Sequence, residues 1–338
     1  MAGTRRHDQL PARARFLLSP APMPLLSADT PFFIVLNHAS GSGDGRAAQL
    51  QMQELLTAQG RRHEFFVVED PQQIARVAER AAETAARQSG AVIAAGGDGT
   101  INAVAQATLP TGRPFGIVPQ GTFNYTPRSH GIPLDVEQAT LALSSATIKP
   151  MQVGLVNDHV FLVNASLGLY PQLLEDREAY KSRYGRYRVV AFWSGLMTLL
   201  RDHRQLVLEI EHDRERELVR TPALFIGNNA LQLERAGLRE AEDVQNRRLA
   251  GVLVRSAGSL DLLWLALRGA LGQLAGAERV RDFAFRRMVV SPHRRRQRPV
   301  KVATDGEIVW LKPPIVFAVA PRPLLLMIPA PAQPELSG

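Results

Sequence analysis

Three glycine-rich turns, each directly after a strand-like run of residues, constrain the fold of this chain more than any other feature. They are NHASGSG from Asn37, GGDGT from Gly96 and GTFN from Gly121. Apolar runs predict strands at 32–37, 63–69, 91–96 and 114–119, and helical spacing predicts helices at 46–59, 71–88, 101–108 and 136–144. Strands that alternate with single helices predict a parallel sheet covered on both faces. Since the carboxyl ends of parallel strands share one edge, we expect the three turns to lie together.

The pattern changes after about residue 149. Short strand-like runs joined by turn residues follow, which predicts an antiparallel β domain interrupted by helical insertions near 180–204 and 260–275. We therefore expect a loosely ordered segment at 1–30, an α/β domain at 31–149, a β-sandwich domain at 150–330 and a tail at 331–338. The last strands are expected either to stay in the second domain or to return to the first domain.

Composition limits the partners and the chemistry. The chain has 338 residues and no cysteine, which excludes disulfides and thiolate metal sites and fits a reducing cytoplasm. A formal net charge of +8 favours anionic partners. The apolar runs are too short to span a bilayer, so we expect a cytoplasmic protein that contacts the inner face of the membrane at its periphery.

Glycine-rich turns at strand ends are suited to binding anions. Glycine permits close backbone approach, so successive N–H groups can converge on a phosphate. The hydroxyl groups of Ser40, Thr100 and Thr122 could complete such contacts, while Asp98 could act through a metal ion or a ligand hydroxyl. One such turn alone is more often a simple strand-to-helix connection, but three at successive strand ends favour a ligand site. The Walker lysine and the GxGxxG pattern are both absent.

The segments LNHASGSG, GGDGTIN and PQGTFNYTPR, followed by the late triplet Asp305-Gly306-Glu307, resemble the motifs of the diacylglycerol kinase catalytic superfamily. That superfamily includes bacterial lipid kinases and sphingosine kinases, and the resemblance extends from about residue 32 to residue 329. GGDGT alone is less specific, because NAD kinases share it. The resemblance implies a phosphofructokinase-like or NAD-kinase-like α/β domain, a C-terminal antiparallel β-sandwich, and a cleft between them that admits ATP and a lipid.

The resemblance also implies individual roles. Glu307, with Asp305 beside it, would supply the base or orient the substrate hydroxyl, and Asp98 would help to hold a catalytic Mg²⁺ through water or phosphate. The residues implied to bind the nucleotide come from all three turns: Asn37, His38, Ala39, Ser40, Gly41, Gly96, Gly97, Asp98, Gly99, Thr100, Ile101, Asn102, Gly121, Thr122 and Asn124.

The chain departs from the family pattern at several positions. His38 stands where many members have proline, and Tyr125 and Gln152 stand where members often have acids. The loop 248–251, which the resemblance aligns with a metal-binding loop of the family, has no carboxylate. A second, structural metal is therefore not expected, and Asp98 becomes the principal carboxylate near the nucleotide.

These observations together predict an ATP- and Mg²⁺-dependent lipid kinase that acts on a diacylglycerol-like or sphingoid-like hydroxyl. The basic and aromatic segment 180–204 has the composition of a membrane-interface segment, although a helix packed on the sandwich fits it equally well. The basic run 291–299 is more typical of a solvated loop, and no nucleic-acid partner is expected. A kinase of a soluble metabolite such as NAD, and a catalytically impaired nucleotide- or lipid-binding protein, remain alternatives; a homodimer stays open.

Overall fold

The computed structural model describes residues 25–38, 45–168, 171, 205–213, 215–235, 244, 246–255, 280–293 and 298–330. The predicted membrane-interface segment 180–204, the tail 331–338 and most of the N-terminal segment lie outside these residues. So do the insertion at 260–275 and positions 294–297 of the basic run. Within the described residues, no helix has the length and apolar character needed to cross a membrane.

The first domain is a six-stranded sheet with helices on both faces. Its strands are β1 (Phe32–Asn37), β2 (His63–Val68), β3 (Ala91–Gly96), β4 (Pro114–Pro119), β5 (Thr147–Met151) and β18 (Leu324–Ile328). Its helices are α1 (Gly45–Ala58), α2 (Ile74–Arg87), α3 (Asp98–Thr108), α4 (Tyr125–Ser129) and α5 (Val136–Ser144), with short 3-10 turns at Pro71–Gln73 and Leu109–Thr111.

Strand order in this sheet is β2-β1-β3-β4-β18-β5, and the first five strands run parallel. Alternate residues of each central strand face opposite helices, as the pleat of a strand requires. Val92 and Ala94 of β3 pack with α2 and α3, whereas Ile93 and Ala95 pack with α1 and α5. A strand buried on both faces explains why AVIAAG is apolar throughout.

The second domain consists of two six-stranded antiparallel sheets. One has the order β10-β9-β14-β17-β6-β7 and the other β13-β12-β11-β8-β15-β16. Their strands are β6 (Gly154–Val156), β7 (His159–Phe161), β8 (Asn164–Gly168), β9 (Leu206–His212), β10 (Glu215–Thr221), β11 (Ala223–Gly227), β12 (Leu249–Val254), β13 (Val280–Phe285), β14 (Arg287–Pro292), β15 (Val300–Thr304), β16 (Glu307–Leu311) and β17 (Ile315–Val319). One short helix, α6 (Ala230–Arg235), follows β11.

Apolar side chains from both antiparallel sheets form one buried cluster, so the sheets pack face to face as a sandwich. Phe317 and Met288 enter it from one sheet, and Leu224 and Phe285 enter it from the other. The predicted fold class, an α/β domain followed by antiparallel sheets, is therefore confirmed.

Two details differ from the sequence expectations. Helix α3 begins at Asp98, three residues before the predicted start at Ile101, because Gly97 adopts an extended conformation and accepts the first helical hydrogen bond from Ile101. The GGDGT motif is thus largely the first turn of a helix. The first sheet also includes β5, which crosses the predicted boundary at residue 149. The late strand β18 pairs with β4 and so returns to the first domain, which was one of the two courses expected from the sequence.

Candidate active site

The second and third glycine turns contact each other through their backbones at the carboxyl edge of the first sheet. The Gln120 N–H donates to the Gly96 carbonyl at 2.8 Å, which extends the pairing of β3 and β4. A Cβ atom on Gly121 would lie 2.9 Å from Gly97 Cα, closer than side chains tolerate. Glycine is required at Gly121 because the two turns touch there, and this contact brings the predicted turns together.

The first turn joins the second through a side-chain hydrogen bond. The Asn37 amide nitrogen donates to the Thr100 hydroxyl at 3.1 Å, and both residues are buried. His38 follows, with its ring Nε2 at 3.1 Å from Gln49 Oε1 on α1. The next three predicted residues, Ala39, Ser40 and Gly41, lie outside the described part of the chain.

Asp98 links the start of α3 to the third turn. One carboxylate oxygen accepts the Asn124 N–H at 3.1 Å, and the other accepts the Tyr125 N–H at 3.3 Å. Each oxygen makes one contact to a backbone amide, which leaves further lone pairs for a cation or a water molecule. Asn124 has a positive φ of 50° and its amide donates to the Gly121 carbonyl, so it shapes the turn from within.

Helix α3 carries a stripe of polar side chains, of which the last two contact the second domain. The stripe is Asp98, Asn102 and Gln106, spaced four residues apart and therefore on one face of the helix. The Asn102 amide donates to the Val160 carbonyl at 3.1 Å and to the Asp305 carboxylate at 2.7 Å. Gln106 bonds the Val160 N–H and the Asp158 carbonyl. Sequence reasoning missed Gln106, although the spacing of the stripe could have indicated it.

Asp305 and Gly306 form the two-residue turn between β15 and β16. Both have positive φ, 47° and 91°, as a type I′ hairpin requires. The Asp305 carboxylate accepts three consecutive backbone N–H groups, from Leu162 at 2.6 Å and from Val163 and Asn164 at 2.9 Å, in addition to the Asn102 amide. Burial raises the pKa of Asp305, while these hydrogen bonds act to lower it. The carboxylate therefore holds α3 against the second domain.

Glu307 lies two residues later and has different surroundings. The residue as a whole is exposed, but its Oε1 would be 2.6 Å from a Cβ atom on Gly99, in the first turn of α3. Partial burial of the carboxyl group raises the pKa of Glu307, and the charge of Asp305 raises it further. The structure thus places a carboxylate from the second domain directly against the GGDGT motif.

Three further predicted residues have three different surroundings. Thr122 is exposed within the third turn. Ile101 is buried in the core, so only its backbone could contact a ligand. Asn102 is directed at Asp305, away from the expected nucleotide loop.

Tyr125 and Gln152, which stand where family members often have acids, carry no charge. The Tyr125 ring stacks on Phe123, with 5.9 Å between ring centroids. The Gln152 amide donates to the Asn228 side chain at 2.8 Å and to the Arg248 carbonyl at 3.0 Å. Among the described residues, no cluster of three or more His, Asp or Glu side chains could hold a metal ion by itself.

A cavity of about 770 Å³ opens between α4, β5 and α6. Leu162, whose N–H bonds Asp305, forms part of its wall. The lining is mixed, with Met151, Leu231 and Val319 among its apolar residues and Gln152 and Asn229 among its polar ones.

The architecture defines the chain as a two-domain protein in which glycine-rich turns of an α/β domain face an antiparallel β domain. Residues 31–156 match the family described as diacylglycerol kinase catalytic domain. That segment of the chain is therefore similar to diacylglycerol kinase catalytic domains. Its Gly96–Asn102 and Gly121–Asn124 turns lie within the matched segment.

Individual relatives agree with this assignment. The diacylglycerol kinase of Bacillus subtilis is 35% identical over 137 residues, which cover 39% of this chain and 44% of that protein. A protein of Cronobacter sakazakii named "Probable lipid kinase YegS-like" is 34% identical over 140 residues, 40% of this chain and 45% of that protein. The matches thus span less than half the length of these curated relatives.

A crystal structure of a diacylglycerol kinase from Bacillus anthracis shares the fold across both domains. The TM-score is 0.63 at 17% sequence identity, and the alignment covers 90% of this chain and 98% of that chain. At this identity the likeness concerns the fold alone.

Proposed function

We propose that this protein is an ATP-dependent lipid kinase that transfers the terminal phosphate of ATP to the hydroxyl group of a membrane-derived lipid, diacylglycerol-like or sphingoid-like. The observation that carries the proposal is the position of Glu307, whose carboxylate from the second domain lies against Gly99 of the first. A phosphoryl-transfer site needs phosphate-binding backbone on one side and a proton acceptor for the nucleophile on the other.

Each side of the site has a defined part in this proposal. Backbone N–H groups of the second and third turns bind phosphate oxygens at the carboxyl edge of the first sheet. These two turns touch at Gly121, where there is no room for a side chain. Glu307 accepts the proton of the lipid hydroxyl. Its raised pKa suits that role, because a general base works best when its pKa approaches the operating pH. Asp305 does not contact the reacting atoms but fixes the turn that carries Glu307.

The side chains at this site could hold Mg²⁺ only if phosphate oxygens of the substrate supplied further ligands. Mg²⁺ is usually held by one or two carboxylates, waters and substrate phosphates, so a protein-only cage is not needed. Asp98 would hold it, since both of its oxygens keep lone pairs beyond their backbone contacts. The ion would neutralise charge on the phosphates.

The proposal is tested by phosphate transfer from labelled ATP to a crude lipid extract with Mg²⁺. We expect Glu307→Gln to lower transfer by about 10²–10⁴-fold, the usual contribution of a general base. Asp98→Asn should also lower transfer and should weaken the dependence on Mg²⁺. Glu215→Gln, which removes an exposed acid on β10, is the matched control and should transfer as well as the wild type.

Three outcomes would count against parts of the proposal. In a parallel reaction with NAD in place of the lipid extract, label in NAD, with none in lipid, would assign a soluble acceptor. Nucleotide binding without transfer to any acceptor would indicate a binding protein that has lost catalysis, in line with the uncharged Tyr125 and Gln152. Equal transfer by wild type and Glu307→Gln would remove Glu307 from the reaction.

A further inference from the structure

The cavity between α4, β5 and α6 has a cationic rim. Arg128 on α4, Lys149 on β5 and Arg247 in the turn before β12 reach it from three different elements. Glu234 on α6 is the one carboxylate among the described residues that line it. We propose that this cavity binds a phosphate group, carried by a phospholipid or free in solution, through Lys149 and Arg247.

In the part of the chain that the structure describes, two of the rim cations have no partner that would neutralise them. Within the described residues, Lys149 and Arg247 take part in no ion pair or side-chain hydrogen bond. Arg128 donates through Nε to the Phe123 carbonyl, which fixes the side chain without removing its charge. Like charges converging on a recess concentrate positive potential there, and an anion would relieve their repulsion.

The positive charge of Lys149 acts on His130, which lies in the cavity wall. Burial of the His130 ring lowers its pKa to about 4, and the positive charge of Lys149 contributes to the lowering. Its ring Nδ1 is buried and has no hydrogen-bond partner among the described residues. The neutral ring adds no charge, so the cations of the rim dominate the site.

The size and mixed lining of the cavity indicate what carries the phosphate. A volume of about 770 Å³ is far more than a phosphate ion requires. Apolar residues such as Leu231, Val244 and Pro323 share the wall with the cations. An amphiphile with a phosphate headgroup and apolar chains would satisfy both parts of this lining, whereas inorganic phosphate would use the cations alone.

The experiment follows the His130 ring by proton NMR, with the resonance identified by its loss in His130→Gln among the 8 histidines of the chain. The wild type is titrated with dihexanoyl phosphatidate, with inorganic phosphate and with neutral dihexanoyl glycerol. Because the readout lies in the cavity wall, phosphate bound at the glycine turns does not produce it. No catalytic turnover is needed, so failure of the kinase proposal leaves this measurement intact.

We expect phosphatidate to shift the His130 resonance at lower concentration than inorganic phosphate does, and Lys149→Gln/Arg247→Gln to weaken its binding by about tenfold or more. Arg286→Gln/Arg287→Gln is the matched control, since it removes two exposed charges outside the cavity and should bind within about twofold of the wild type. Equal shifts with phosphate and phosphatidate would still support the site and assign it to the free ion. The proposal fails if neither probe shifts His130, if the cavity variant binds phosphatidate normally, or if the neutral glyceride binds as tightly.

Discussion

Asp305 and Glu307 are two carboxylates on one hairpin turn, and the fold treats them in opposite ways. Asp305 is surrounded by donors and accepts four hydrogen bonds. Among the described residues Glu307 accepts no such hydrogen bond, and its Oε1 lies 2.6 Å from the position that a Cβ atom on Gly99 would take. Burial raises the pKa of both, but only Asp305 has hydrogen bonds that oppose the rise.

This difference assigns a structural role and a chemical role to different carboxylates of the triplet Asp305-Gly306-Glu307. A carboxylate whose lone pairs are filled by backbone amides is suited to fixing structure, because releasing it would leave buried donors unsatisfied. A carboxylate with open lone pairs and a raised pKa is suited to accepting a proton. We therefore interpret Asp305 as the positioning residue and Glu307 as the group that meets the substrate.

The largest expected effect is that of Asp305→Ala on stability. The change leaves three backbone N–H groups and the Asn102 amide without their acceptor, and it places alanine at a positive φ of 47°. We expect the free energy of unfolding to fall by about 3–5 kcal/mol, as measured by urea denaturation.

Glu307→Ala is the matched comparison, because it shortens a carboxylate on the same turn that has no such donors. Its free energy of unfolding should stay within about 1 kcal/mol of the wild type. Similar losses in the two variants would show that the turn itself, and not the hydrogen bonds of Asp305, determines stability.

The sequence predicted one side of this site better than the other. The contact between Gly97 and Gly121 could be predicted because a close backbone contact requires glycine, and the glycines form a recognisable motif in the sequence. The partners of Asp305 are backbone amides at 162–164, and backbone amides have no residue signature. Only the fold could show that the turn and those amides meet.

The start of α3 and the direction of the Asn102 side chain could not be predicted from the sequence for the same reason. Gly99 suggested a loop, whereas the structure uses its missing side chain to admit Glu307 to the first turn of α3. Asn102 follows the GGDGT motif directly, so its sequence position suggested a nucleotide contact. Its direction depends on where the second domain lies, which the sequence of α3 does not encode.

Asn102→Ala tests how much of the Asp305 arrangement depends on the first domain. The variant removes one hydrogen bond to Asp305 and one to the Val160 carbonyl, while the three backbone donors remain. We expect a loss of about 1–2 kcal/mol in the free energy of unfolding. Gln53→Ala, which shortens an exposed amide on α1, serves as the control and should change stability by less than about 0.5 kcal/mol. A loss as large as that of Asp305→Ala would mean that the contact between domains, more than the backbone amides, stabilises the turn.

Gly99→Ala should displace the Glu307 carboxylate without changing residue 307 itself. The new Cβ atom would lie 2.6 Å from Oε1, and the end of a flexible side chain can move away. We expect kcat/KM for the lipid to fall by about tenfold, with stability changed by less than about 1 kcal/mol, because misplacing a catalytic group costs rate more than folding energy. Gly97→Ala is the stability control, since its Cβ would have only an ordinary contact of 3.6 Å with Gly121 Cα. Unchanged kcat/KM in Gly99→Ala would contradict the placement of Glu307.

The smallest expected effect is the pH dependence of Glu307→Gln stability. A carboxyl group whose pKa is raised on folding contributes stability that is fully present below the ordinary glutamate pKa of about 4.3 and is lost as the pH rises through the higher folded value. At pH 7 the wild type has lost that contribution, whereas the neutral amide keeps it. Glu307→Gln should therefore be slightly more stable than the wild type at pH 7, by less than about 1 kcal/mol because the residue is exposed. The difference should vanish near pH 4 in urea denaturation at each pH. A variant that is less stable at pH 7 would mean that the Glu307 carboxylate makes stabilising contacts like those of Asp305, and the separation of their tasks would fail.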